Sequence, residues 1–130
     1  MSGSKESLYP KDWIGKAERD LHRARVLLAD DDAEGAGFHL QQAIEKYLKG
    51  YLLFKGWKLE YIYDLVKLLN CAKDYDLGFE EFRALCEQVT GYYVVDRYPF
   101  PVHASPTKEE IEQALRKTEE LVKKIDTEVK

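Results

Sequence analysis

Long apolar runs are missing from this sequence. Its charged residues interrupt every hydrophobic stretch after a few positions, far short of the ~20 residues that a membrane-spanning helix needs. The start MSGSKESLYP has no apolar core of the kind a signal peptide carries. The expectation is a cytoplasmic protein with no membrane contact. Cysteine is equally scarce. Two residues, Cys71 and Cys86, are too few for a disulfide scaffold, and both fall at apolar helical positions, so they read as reduced core thiols. Glycine and proline are sparse as well, at 8 and 4 in 130 residues, which excludes collagen and low-complexity chains. A basic excess is absent too. With 20 Lys+Arg against 24 Asp+Glu the net charge is −4, whereas a protein that coats nucleic acid in general is expected to be strongly basic.

Several catalytic signatures are also lacking. The sequence has no phosphate-binding glycine motif, HExxH, CxxC pair or serine nucleophile elbow, and its three histidines, at 22, 39 and 103, show no zinc spacing. No metal and no cofactor are expected. The acidic triplet Asp30-Asp31-Asp32 reads as a turn leading into a solvated helix cap.

What is present is enough to fold. Hydrophobic residues make up 45% and aromatic residues 12% of a length that suits one domain. Ile14, Ala17, Leu21, Ala24 and Leu28 alternate spacings of three and four, which predicts a first helix over Asp12 to Ala29 with Asp12 as its N-cap. Ala36, Leu40, Ala43, Ile44, Tyr47, Leu48, Tyr51 and Leu52 predict a second over Ala33 to Lys55, ended by Gly56 in a left-handed conformation. Leu65, Leu68, Leu69 and Ala72 mark a shorter third helix, and Phe82, Leu85, Cys86, Val89 and Tyr93 a fourth, entered after Gly78. Residues 94–106 hold Pro99, Pro101 and Pro106 and read as a loop with an aromatic anchor. Thr107 and Glu110 fit a reciprocal capping box, and Ile111, Leu115, Thr118, Val122, Ile125 and Val129 carry a last helix to the end of the chain. The fold class is therefore all-α, an up-and-down bundle of four long helices and one short one in a single domain.

Charge is spread unevenly over these elements. Lys11 to Leu28 holds five basic and three acidic residues, Ala36 to Lys55 three and one, and Cys71 to Asp96 two and six. The first two segments are where a local basic face is expected. On the second helix His39, Gln42, Lys46 and Lys49 recur at three, four and three residues and share one face. Two readings fit that row. Lysine ammonium groups attract phosphate and His and Gln add directional hydrogen bonds, giving a phosphate site, or the row is a solvated helix face. A second constellation is Arg97 with His103. A permanent cation and a group that titrates near neutrality are the pair that metal-free RNA cleavage needs, one stabilising the phosphorane and the other moving the 2′-hydroxyl proton. The other reading pairs Arg97 with Asp96 or a helical carboxylate in a proline-bound structural corner.

The run Phe38-His39-Leu40-Gln41-Gln42-Ala43-Ile44-Glu45-Lys46-Tyr47-Leu48-Lys49 has Ala17-Glu18-Arg19-Asp20-Leu21 before it and Asp64-Leu65 and Arg97-Tyr98-Pro99 after it. Together they resemble the HEPN domain (higher eukaryotes and prokaryotes nucleotide-binding) over about residues 11–128. The resemblance implies a helical bundle, commonly a homodimer, that in bacteria and archaea is often encoded beside a minimal nucleotidyltransferase. It implies two roles. One is a nucleotide- or RNA-phosphate-binding subunit of a two-component, toxin–antitoxin type system, with His39, Gln42, Lys46 and Lys49 as binding residues. The other is a metal-independent endoribonuclease toxin whose motif, Arg, four to six residues, then His, is met by the five residues between Arg97 and His103. Tyr98, the prolines inside the gap, Ser105 and Tyr63-Asp64-Leu65 depart from the nuclease pattern, so the binding module is the leading expectation. A homodimer is further expected because Tyr47, Leu48, Tyr51 and Leu52 span most of the second helix's circumference, more than one partner helix covers.

Overall fold

A computed structural model describes residues 6–92 and 105–129, and among them every regular element is a helix. Three are long, α1 (Pro10–Ala29), α2 (Ala33–Phe54) and α5 (Lys108–Asp126), of 20, 22 and 19 residues. Two are shorter: α3 (Leu65–Lys73) has 9 residues and α4 (Arg83–Val89) has 7, the latter entered through a 3-10 turn at Leu77–Phe82.

Helix α2 is the axis of the bundle. A helix with a wide apolar face must be enclosed over most of its surface, and α2 buries Leu40, Ile44, Tyr47, Leu48, Tyr51 and Leu52, leaving the row of His39, Gln42 and Lys46 partly open. Each large side chain so enclosed contributes on the order of 2 kcal/mol by removal from water. Tyr47, Leu48, Tyr51 and Leu52 are at most 1% exposed within the single chain. The wide stripe that pointed to a second copy is therefore covered by α1, α3, α5 and the 3-10 turn, and helix α2 by itself gives no reason for a homodimer. Phe79 of the 3-10 turn closes on Tyr51 at 4.6 Å between ring centroids.

Local chemistry sets most of the boundaries. Helix α1 begins two residues before the expected Asp12, because Pro10 supplies a pre-set φ and has no amide donor to leave unpaired in the first turn. Asp12 lies in that turn and accepts from the Ser7 hydroxyl at 2.6 Å. Asp32 caps α2 by accepting from the Gly35 amide. At its other end Gly56 takes φ 94°, with the amides of Gly56 and Trp57 donating to Leu53 and Leu52 carbonyls, the paired bonds of a left-handed helix end. Asp64 caps α3, and Thr107 with Glu110 forms the expected capping box of α5, whose helix stops at Asp126, short of Val129. Cys86 is fully buried and Cys71 half-buried, both as free thiols, and burial pushes Cys86 up to about 12. No described helix is long and apolar enough to cross a membrane.

Candidate functional site

Helices α1 and α2 run antiparallel, the Pro10 end of α1 lying against Gly50 and the α1–α2 turn closing the opposite end. Halfway along the seam stands Asp20, only 3% exposed. It occupies the apolar stripe of α1, between Ala17 and Ala24, where a carboxylate is kept only if it is paired. Three cationic or titratable groups pair it. Lys46 Nζ donates to Oδ2, while Arg23 Nη1 and His39 Nδ1 meet Oδ1 at 3.2 and 3.1 Å. Burial acts to raise the Asp20 pKa, but the hydrogen bonds from Lys46 and His39 outweigh it and hold the carboxyl below its ordinary value. With Asp20 ionised, the proton of a neutral His39 sits on Nδ1, leaving Nε2 as an acceptor.

The structure therefore splits the row predicted on helix 2. His39 and Lys46 meet at Asp20 and keep 25% and 23% of their side chains exposed. Gln42 donates to the Gln41 side chain at 2.7 Å. Lys49 departs from the expected face altogether: it is 1% exposed and bonded to the buried Glu45 at 3.0 Å. Its ammonium lies 5.4 Å from the Trp13 ring centroid and 4.9 Å from that of Tyr63. The reason is that α2 has no solvated face at this level, since Trp13 of α1 and Tyr63 of the α2–α3 connection close over it. Lys49 is thus a structural cation, enclosed by two π faces and a carboxylate.

Alongside the Asp20 cluster a groove of about 870 Å³ opens along α1. It is lined by Lys11, Lys16, Arg19 and Lys46, with Glu6, Ser7, Asp12, Trp13 and Gly15 completing it. A second depression of about 550 Å³ continues it past Gly15 and Arg19 to Glu18, His22 and Arg23. Lys46 belongs to both constellations: one end of the groove is walled by a lysine that a buried aspartate fixes in place. The sequence placed a local basic face on Lys11 to Leu28 and showed Asp20 in the run shared with the family, but it assigned no role to Asp20 or to any single α1 cation. A carboxylate inside an apolar stripe was the available signal for the first, and the basic count of Lys11 to Leu28 for the second.

Arg97 and His103 lie outside the described residues, as do Tyr98 and the prolines of the gap between them. The described residues nearest that segment on either side are Tyr92 and Ser105. The Tyr92 ring packs so closely on Gly37 that an added Cβ there would approach it to 2.9 Å. Ser105 donates its hydroxyl to Glu34. Both of these flanking residues are thus tied to the first two turns of α2. Among the described residues no cluster of His, Cys, Asp and Glu has the arrangement of a metal site.

Comparison with known proteins places the chain in its family. TT1696 from Thermus thermophilus superposes with a TM-score of 0.79 at 27% identity, over 92% of this chain and 97% of that one. ST0689, an archaeal HEPN homologue, superposes with a TM-score of 0.74 at 23% identity, over 94% and 98%. No curated protein matches the sequence. The HEPN domain model matches residues 10–128, from the first residue of α1 to just past the end of α5, and the chain belongs to the HEPN domain family.

Proposed function

We propose that this HEPN-domain chain is the small, phosphate-binding subunit of a two-component prokaryotic system of the toxin–antitoxin type. It binds a nucleotide or an RNA phosphate at the α1–α2 groove and acts with a minimal nucleotidyltransferase. The observation that carries the reading is the double placement of Lys46, bonded to buried Asp20 and lining the groove with Lys11, Lys16 and Arg19. A lysine held this way spends little side-chain entropy on meeting an anion. His39 stands on the same aspartate and helps to hold it, while lying outside the lining of the groove.

Calorimetric titration with ATP tests the site. Lys46→Gln is expected to weaken binding about tenfold, the loss of one charge-assisted contact, roughly 1.4 kcal/mol. The fold survives because Arg23 and His39 still hold Asp20. Equal affinity in both proteins overturns the site. The partnership stands or falls with a complex between this chain and a nucleotidyltransferase encoded beside it. The subunit is further proposed to be a homodimer, an idea that a light-scattering mass near 15.1 kDa at micromolar concentration rules out.

A second reading, the endoribonuclease, is favoured by the five-residue gap between Arg97 and His103 and by the attachment of Tyr92 and Ser105 to one end of α2. It requires RNA cleavage in chelator that both Arg97→Ala and His103→Ala abolish.

A further inference from the structure

The chain ahead of α1 folds back onto that helix. Trp13 Nε1 donates to the Ser7 carbonyl at 2.7 Å, Ser7 Oγ donates to Asp12, and the Tyr9 amide donates to Ser7 Oγ at 2.9 Å. Little apolar surface reinforces these bonds, since Leu8 and Tyr9 are 65% and 74% exposed. A segment held by a few hydrogen bonds, each modest net of the water it replaces, opens at low cost. The same fold-back carries Glu6 into the wall of the groove, which it shares with Lys11, Lys16, Arg19 and Lys46. Its Oε2 is shut off from water and has no hydrogen-bond partner. No ion pair joins Glu6 to those cations, and Lys11, Lys16 and Arg19 are themselves without ion-pair partners among the described residues. A carboxylate oxygen in that position is drawn in by the surrounding positive charge but satisfied by none of it, so closure is only weakly favoured.

We propose that residues 6–9 form an autoinhibitory strap: the Glu6 carboxylate occupies the groove as an internal anion, and an incoming phosphate has to displace it. The inference rests on the phosphate-binding reading above and adds the regulation of that site. Glu6 is tethered to α1 through Ser7, Leu8 and Tyr9 and is therefore always near the groove cations, so the apparent affinity for a phosphate falls to the fraction of molecules whose strap is open. Asp12, the other carboxylate of the groove, accepts from Ser7 and so fastens the strap. Displacement frees Trp13 as well. Once Ser7 leaves, the indole N–H loses its carbonyl partner, and Trp13 reports the position of the strap.

Glu6→Gln keeps the size of the side chain and removes its charge. Glu18→Gln makes the same change at an exposed position of α1, in the neighbouring depression and off the strap. Calorimetric titration with ATP is expected to give about fivefold tighter binding in Glu6→Gln, the gain for a strap that is open in roughly one-fifth of parent molecules, and no such gain in Glu18→Gln. The second readout is the indole N–H resonance of Trp13, assigned by the loss of the other indole signal in Trp57→Phe. ATP is expected to shift it in the parent. Glu6→Gln without ligand is expected to move it part of the way to the same position, which a change of field at the groove would not do. Equal gains in the two variants, no gain in Glu6→Gln, or a Trp13 resonance that neither ATP nor Glu6→Gln moves overturns the strap. If Lys46→Gln still weakens ATP binding in that case, the phosphate reading stands alone; a parent and a Glu6→Gln variant that both fail to bind ATP overturn both.

Discussion

The two sides of the bundle treat their cations differently. Around α3, the 3-10 turn, α4 and α5, several lysines and arginines are paired at the surface, while Lys67, Arg116 and Lys123 have no ion-pair partner among the described residues. Lys73 and Arg83 share Glu80, Lys117 meets Glu81 and Glu120, and Lys124 meets Asp76. Lys117 and Lys124 also lie 5.1 Å from the ring centroids of Phe82 and Phe79, so the long α5 side chains double as covers for the aromatic core. Along α1 and α2 two pairings are inside, beside the surface pairs of Arg25 with Glu119 and of Lys55, at the end of α2, with Glu128. Asp20 and Glu45 are buried and hold Lys46 and Lys49, while Lys11, Lys16 and Arg19 outside have no ion-pair partner among the described residues. On the first side the ion pairs lie at the surface. On the second, two buried carboxylates fix two lysines in place.

The contrast can be broken most violently at the seam. Lys49→Ala leaves Glu45 buried without its cation and is expected to cost about 3–5 kcal/mol, read as a fall in the chemical denaturation midpoint. The double change Glu45→Leu with Lys49→Met removes both charges and is expected to recover most of that loss. A single variant no less stable than the parent would mean that the pair does not sit in a desolvated seam.

Asp20→Asn comes next, at about 1–3 kcal/mol near neutral pH, less than Lys49 because the partners of Asp20 are themselves partly exposed. Its pH dependence carries the sign. A carboxyl whose folded pKa is depressed stabilises fully above its unfolded value, near 3.9, and the contribution fades as pH falls through the folded value. The stability gap between parent and variant should therefore persist down to about pH 4 and narrow below it. A gap unchanged in strong acid would contradict the ion-pair geometry.

The smallest effect is expected on the side with the surface pairs. Hydrogen bonds from Arg83 and Lys73 hold Glu80 at about 2, yet the group is open to solvent and screened. Glu80→Gln should shift the melting temperature only slightly, the shift should disappear in high salt, and ATP binding should not change. A loss comparable with that of Asp20→Asn would erase the difference between the two sides.

Much of this was legible in the residues. The apolar spacing located α2, Gly56 marked its end, and Thr107 with Glu110 marked the start of α5, because caps and stripes depend on neighbours within one or two turns. Asp12 misled as an N-cap because Pro10 offered a competing start two residues earlier. The row of His39, Gln42, Lys46 and Lys49 was recognised as one face, but what covers a face is not a local property. Trp13 and Tyr63, distant in sequence, decide that Lys49 is interior.

The sequence by itself determined that the chain is helical, where its main helix runs and which family it resembles, since periodicity, capping and motif are written in short spans. The tertiary structure alone decided the fate of each charge. Whether a lysine meets water, a carboxylate or a ring depends on desolvation and on groups brought from elsewhere in the chain. So Asp20 became the anchor of Lys46, Lys49 was drawn into the seam, and the cations of α1 were left facing outward.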